Sequence, residues 1–180
     1  MANEKAVYEQ LILPVETRMM RTIWRIVRQD QLAEDTLQDA MAIIWRKRNH
    51  IQQHPNPSAL ILKICLNCAY DSLRKRHRLR RQQDLTKLTA SVIKARNNAS
   101  QDLEQKQIVA EILNAIGRLP RKQALAVLMR IVQEQSYDVI AKSIGCSETT
   151  ARIHVSRGRK RLSQWLVHLQ SSSSKESQND

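Results

Sequence analysis

Phenylalanine is absent from the 180 residues and aromatic side chains make up only 3%, so the core must be filled by aliphatic side chains rather than rings. With glycine at 3 and proline at 4, the tight turns of β-hairpins cannot recur. An all-α fold follows. The 3 cysteines are an odd count and imply no disulfide framework. Cys65 and Cys68 form a C-x-x-C inside a helical pattern, lack the second ligand pair of a structural zinc site, and read as buried small residues. The best apolar run, Ala59 to Leu66, is short and broken by Lys63, so no membrane association is expected. The opening MANEKAVYEQ is polar and acidic, unlike a secretory signal, so a cytoplasmic protein is expected. Nor is there a metal-ligand cluster, a nucleophile motif or a phosphate-cradling glycine loop. No catalytic residue, metal, cofactor or small-molecule substrate is expected. Acidic charge is also in deficit: 17 Asp and Glu against 30 Lys and Arg leave a net +13, the footprint of a polyanion binder, with nucleic acid the leading partner.

What is present is helical periodicity. Val7 and Leu11 mark a short first helix, with Pro14 kinking it or starting the next. Val15, Met19, Ile23 and Ile26 then recur at helical spacing as far as a polar break at Gln29–Gln31. Leu37, Ala40, Met41, Ile44 and Trp45 form one stripe of an amphipathic helix whose polar start carries Asp35, Gln38 and Asp39, where acidic groups suit the helix dipole. Arg46 to Pro57 reads as a polar loop. Ser58 is placed to cap a helix whose early half is apolar and whose later half carries Arg74, Lys75, Arg76, Arg78, Arg80 and Arg81. A buried half followed by a projecting basic half suits contact with phosphates; a solvated charge run is the plainer reading. The organisation expected is two small helical domains, 1–81 and 106–168, joined by a flexible linker over 82–105 and followed by a disordered tail, 169–180. Pro120 is expected at the first turn of a helix in the second domain.

Ser136 to Leu162 has the pattern of a helix-turn-helix. Tyr137, Ile140, Ala141 and Ile144 share one face of a first helix, Gly145 is suited to a left-handed C-cap, and Ser147 to an N-cap. On the second helix Ala151, Val155, Gly158 and Leu162 fall together, while Thr149, Arg152, Ile153, Ser156, Arg157 and Lys160 point away from them. At about 100° per residue, Ile153 lies near the centre of that outer face. Such a face fits a DNA major groove; an ordinary helical hairpin with a charged solvent face has the same pattern.

Three stretches in order carry a more specific resemblance. AEDTLQDAMAIIWRK (Ala33–Lys47), ICLNCAYDSLRKR (Ile64–Arg76) and the segment Leu119–Leu162 resemble the conserved regions of sigma-70 superfamily factors of the extracytoplasmic-function (ECF) group. The resemblance implies a factor that binds core RNA polymerase and directs promoter-specific initiation by recognising −10 and −35 promoter elements, with an anti-sigma factor as a further partner. It implies that Asp35, Gln38 and Asp39 meet core polymerase, and that Asn67, Asp71, Arg74, Lys75, Arg76 and Arg78 meet the −10 element. Thr149, Thr150, Arg152, Ile153, His154, Ser156, Arg157 and Lys160 are implied to meet the −35 element. The alternative is a helix-turn-helix regulator that acts without polymerase. Departures from the family pattern are the missing aromatics over Ser58–Leu62, Glu134 and Thr149 where glycine is common, and Val139 where an acidic residue is common.

Overall fold

A computed structural model of the chain describes residues 2–87 and 101–167; most of the stretch expected as a linker, and the expected tail beyond Val167, lie outside the described residues. Within them the regular structure is helical: α1 (Ala2–Val7), α2 (Glu16–Val27), α3 (Asp30–Arg46), α4 (Arg48–Gln52), α5 (Pro57–Lys87), α6 (Gln101–Arg118), α7 (Arg121–Ile131), α8 (Tyr137–Ile144) and α9 (Glu148–Trp165). No helix among the described residues is long and apolar enough to cross a membrane.

The first domain is organised around α5, against which α2 and α3 pack. α1 runs through a wide π turn (Tyr8–Ile12) and a tight 3-10 turn containing Pro14 before α2 begins. Met19, Thr22, Ile23, Ile26 and Val27 form the buried stripe of α2, which ends where Arg28 turns left-handed and donates its N–H to the Trp24 carbonyl. The Trp24 indole donates to Asp30 Oδ1 at 2.8 Å and holds the entry to α3. The buried face of α3 is made of Ala33, Thr36, Ala40 and Ile44, small enough for close approach. Two expectations are corrected here. The loop over Arg46–Pro57 contains α4, because Ile51 is fully buried and an apolar side chain there needs a local element to aim it inward. The cap of α5 is Asn56, whose Oδ1 accepts the Ala59 N–H at 2.9 Å, so Pro57 takes the first-turn position and Ser58 lies inside the helix.

In the second domain α7 packs on α9 and α8 bridges them. The whole run Gln123–Met129 is buried, because α7 is covered on several sides. Pro120 stands one position before α7, its carbonyl accepting the Gln123 and Ala124 N–H groups. The stretch expected as a linker is helical at both ends, as α5 runs on to Lys87 and α6 begins at Gln101.

The turn between α7 and α8 places Glu134 at φ 55°, a left-handed conformation that costs a side-chain-bearing residue about 1 kcal/mol. This is the position where the sequence departs from glycine. Glu134→Gly is therefore expected to stabilise the protein by about 0.5 kcal/mol, the relief being partly offset by the freer unfolded chain. Thermal unfolding followed by circular dichroism should show a midpoint about 2 °C higher; a lower midpoint would mean that the Glu134 side chain holds the turn in some other way.

Candidate nucleic-acid interface

The helix-turn-helix is built by its caps. Ser136 Oγ accepts the Val139 N–H at 3.4 Å, Gly145 turns left-handed at φ 66°, and Ser147 Oγ accepts the Thr150 N–H at 3.2 Å. Ala151, Val155, Gly158 and Leu162 are buried against the rest of the domain. Gly158 lets α9 approach α7 closely: a Cβ there would stand 2.6 Å from Val127 Cγ2.

The outward face of α9 exposes Thr149, Arg152, Ile153, Ser156, Arg157 and Lys160. They are not equivalent. Arg152 is folded back: its Nη2 donates to Glu148 Oε1 at 2.6 Å and its guanidinium lies 4.3 Å from the centre of the Tyr137 ring, which Arg130 also approaches. Thr150 is half-buried and bonded to the Ser147 cap. His154 is half-buried with an unpartnered Nδ1, and burial first, then Lys122 and Arg157, lower its pKa, so the ring is neutral at neutral pH. Arg157 and Lys160 have no acidic partner among the described residues, and Ile153 is 41% exposed between them and Thr149.

The basic half of α5 differs from the expectation that it projects freely. Arg74, Lys75 and Arg78 are exposed, but α6 packs along this helix, leaving Arg76 half-buried. Burial, and then Arg80, lower the Arg76 pKa, and its Nε and Nη2 have no partner. Asn67 and Asp71 are both engaged by Arg121, at the start of α7: Nη2 donates to Asn67 Oδ1 at 2.9 Å and Nη1 to Asp71 Oδ1 at 2.5 Å. Tyr70 on the same turn is buried and donates its hydroxyl to the Leu119 carbonyl at 2.9 Å. Arg121 and Tyr70 were not among the residues expected to matter. No periodicity links residues 50 positions apart, as Arg121 and Asp71 are.

A third surface lies on α3, where Asp35, Gln38 and Asp39 are exposed on the side away from Ala33, Ala40 and Ile44. Neither carboxylate has an ion pair among the described residues. Burial pushes the Cys68 thiol up to about 11, helped by the charges of Asp39 and Asp71 against Arg121. Cys65, more deeply buried, is pushed up to about 12. Both therefore stay protonated at neutral pH, the wrong state for a thiolate ligand or nucleophile. No group of three His, Cys, Asp or Glu side chains among the described residues is placed to hold a metal ion.

The chain thus presents an acidic patch on α3, a partly covered basic helix and an exposed recognition helix. Residues 11–79 match the family described as Sigma-70 region 2, and residues 110–162 match Sigma-70, region 4. The RNA polymerase sigma-H factor of Pseudomonas aeruginosa is 24% identical over 174 residues, covering 93% of this chain and 90% of that protein. The ECF RNA polymerase sigma factor SigM of Mycobacterium tuberculosis is 25% identical over 170 residues, covering 93% and 81%. Among solved structures, the sigma factor RpoE of Bartonella quintana, in co-crystal with the anti-sigma factor NepR, shares the fold with a TM-score of 0.52 at 24% identity, over 88% of this chain and 96% of that one. Two matched regions in the order the fold requires, one ending within α5 and the other ending on α9, carry the conclusion that this chain belongs to the sigma-70 family as a divergent member of its ECF group.

Proposed function

We infer that this sigma factor, which binds core RNA polymerase and directs promoter-specific initiation, divides the work between its two helical domains. Residues 1–81 dock on core polymerase through Asp35, Gln38 and Asp39 and contact the −10 element through Asn67, Asp71, Arg74, Lys75, Arg76 and Arg78. Residues 106–168 contact the −35 element through α9. There Thr149, Ser156, Arg157 and Lys160 are free to reach DNA, while Thr150, Arg152 and His154 shape the surface from their tethered or half-buried positions. The chain works in the cytoplasm and contributes no catalytic group; bond formation belongs to the polymerase.

The single observation that carries this reading is the recognition helix. It is capped at both ends of a three-residue turn, buried on one face, and on the other basic around Arg157 and Lys160, with no acidic partner for either among the described residues. A regulator acting without polymerase would use α7–α9 in the same way but leave the region 2 match over residues 11–79 unused. An anti-sigma factor is the further partner we propose, supported by the similar Bartonella chain having been solved with one.

Run-off transcription with purified core enzyme on a pool of promoter fragments tests the activity and returns the recognised sequences. Transcripts from a restricted subset of fragments are expected; none, or equal transcription of all, would sink the reading. Within it, Ile153→Ser tests how the sequence is read. An exposed isoleucine at the centre of the groove-facing surface can contact a thymine methyl group. The substitution is expected to lower affinity for the selected −35 sequence about fivefold to tenfold, while affinity for unrelated duplex stays within error in the same titration. A uniform loss on all DNA would argue against a base contact.

A further inference from the structure

We propose that Glu148 sets the base preference of α9 by acting as a positioning residue for Arg152: it holds the Arg152 guanidinium back and so withholds a guanine contact from the surface that reads DNA. This rests on the reading of α9 as the helix that meets the −35 element. Of the cations on the outward face, Arg152 alone has an acidic partner among the described residues. Its Nη2 donates to Glu148 Oε1 at 2.6 Å, one turn back on the same helix. Its guanidinium is stacked over the Tyr137 ring of α8, 4.3 Å from the ring centre. Three helices meet at that ring, because Arg130 of α7 approaches it at 5.0 Å while its Nη1 donates to the Gln135 carbonyl at 2.9 Å.

The two uses of Arg152 exclude each other. A guanidinium reads guanine by laying two N–H groups of its fork on O6 and N7, and a carboxylate engages the same fork. With Nη2 given to Glu148 and the flat face over Tyr137, the fork is not presented to a base. Glu148 is the decisive part of this hold. Arg130 and Arg152 share one ring and repel each other, and neither has another acidic partner among the described residues, so the carboxylate is what keeps Arg152 beside a second cation. The pair is exposed, and the bond alone is weak. DNA closes it further: moving Arg152 to a base would leave Glu148 uncompensated in the first turn of a helix that enters the groove between two rows of phosphates. The plainer use of Glu148 is to suit the helix dipole there. That use asks nothing of Arg152.

The test compares the full-length protein with Glu148→Gln, Arg152→Ala and the double variant on a pool of duplexes randomised over one helical turn. Sequencing the bound fraction reads base preference, and fluorescence anisotropy on single duplexes reads affinity. Ser147 still caps α9 in every variant, so the helix is retained. Glu148→Gln is expected to tighten binding to all duplexes by up to about threefold, through the lost negative charge, and to add at one position a preference for guanine of about fivefold or more. The double variant should lose that guanine preference, and Arg152→Ala alone should leave the parent's base preference as it is. A guanine preference that is absent from Glu148→Gln, that persists in the double variant, or that the parent already shows and Arg152→Ala removes, overturns the proposal. Arg157→Ala with Lys160→Ala checks the underlying reading in the same pool. If that variant binds as tightly as the parent, α9 does not face DNA and the −35 reading has failed, taking the proposal with it; if it binds weakly, the other outcomes bear on Glu148 and Arg152 alone.

Discussion

Asp35→Lys combined with Asp39→Lys is expected to abolish pull-down of core polymerase, lowering affinity by at least about 100-fold, and to remove run-off transcription with it. Both carboxylates are exposed and without an ion pair among the described residues, so their field is available to a basic partner. Reversing two charges replaces two attractions with two repulsions, and close charge pairs across interfaces are typically worth about 2 kcal/mol or more each. The helix itself should survive. The positions are four apart on α3, where like charges already face each other in the natural sequence, so two lysines repel about as two aspartates do. Circular dichroism of the double variant should match the parent within error, and DNA binding in the absence of polymerase should be equal or slightly stronger. Retained core binding would remove α3 from the polymerase interface. Asp35→Asn with Asp39→Asn should fall between the two if charge is the cause.

Arg157→Ala with Lys160→Ala is expected to weaken duplex binding by roughly 100-fold at moderate salt and to reduce the slope of log affinity against log salt by about 2. The loss should be nearly the same for the selected −35 sequence and for unrelated DNA, because cations on phosphates position a helix without reading bases. This is the opposite signature to Ile153→Ser, which changes an uncharged contact on the same face. The pair of results separates placement in the groove from recognition within it. An unchanged salt slope in the Arg157, Lys160 variant would mean that this face is not the one turned to DNA. Neither side chain supports the fold through an ion pair among the described residues, so the expected loss is one of binding rather than of stability.

Much of this was legible in the chain before any packing was known. Tyr137 to Ile144, the left-handed Gly145, the Ser147 cap and the burial of Ala151, Val155, Gly158 and Leu162 all follow from contacts within about four residues. Asp35, Gln38 and Asp39 were read as the polar start of an amphipathic helix, and they are exposed. The misses were of two kinds. Local misjudgements, such as α4 within the expected loop and Asn56 rather than Ser58 as cap, arose because several residues in a row could serve and only burial of Ile51 or the bond to the Ala59 N–H chose among them. The larger miss was Arg121, which in sequence is one more basic residue after a proline.

The sequence by itself determined the helices, their caps and the sign of charge on each face, because those depend on backbone geometry that repeats every few residues. Whether a polar side chain on α5 is offered to DNA or held by its own chain was decided only by tertiary structure. Asn67 and Asp71 meet Arg121 because α6 can lie against α5 at Gly117, where the missing Cβ lets two backbones touch. A glycine in a helical pattern announces that close approach is possible; which helix approaches, and which charges it carries in, is a property of the packed molecule.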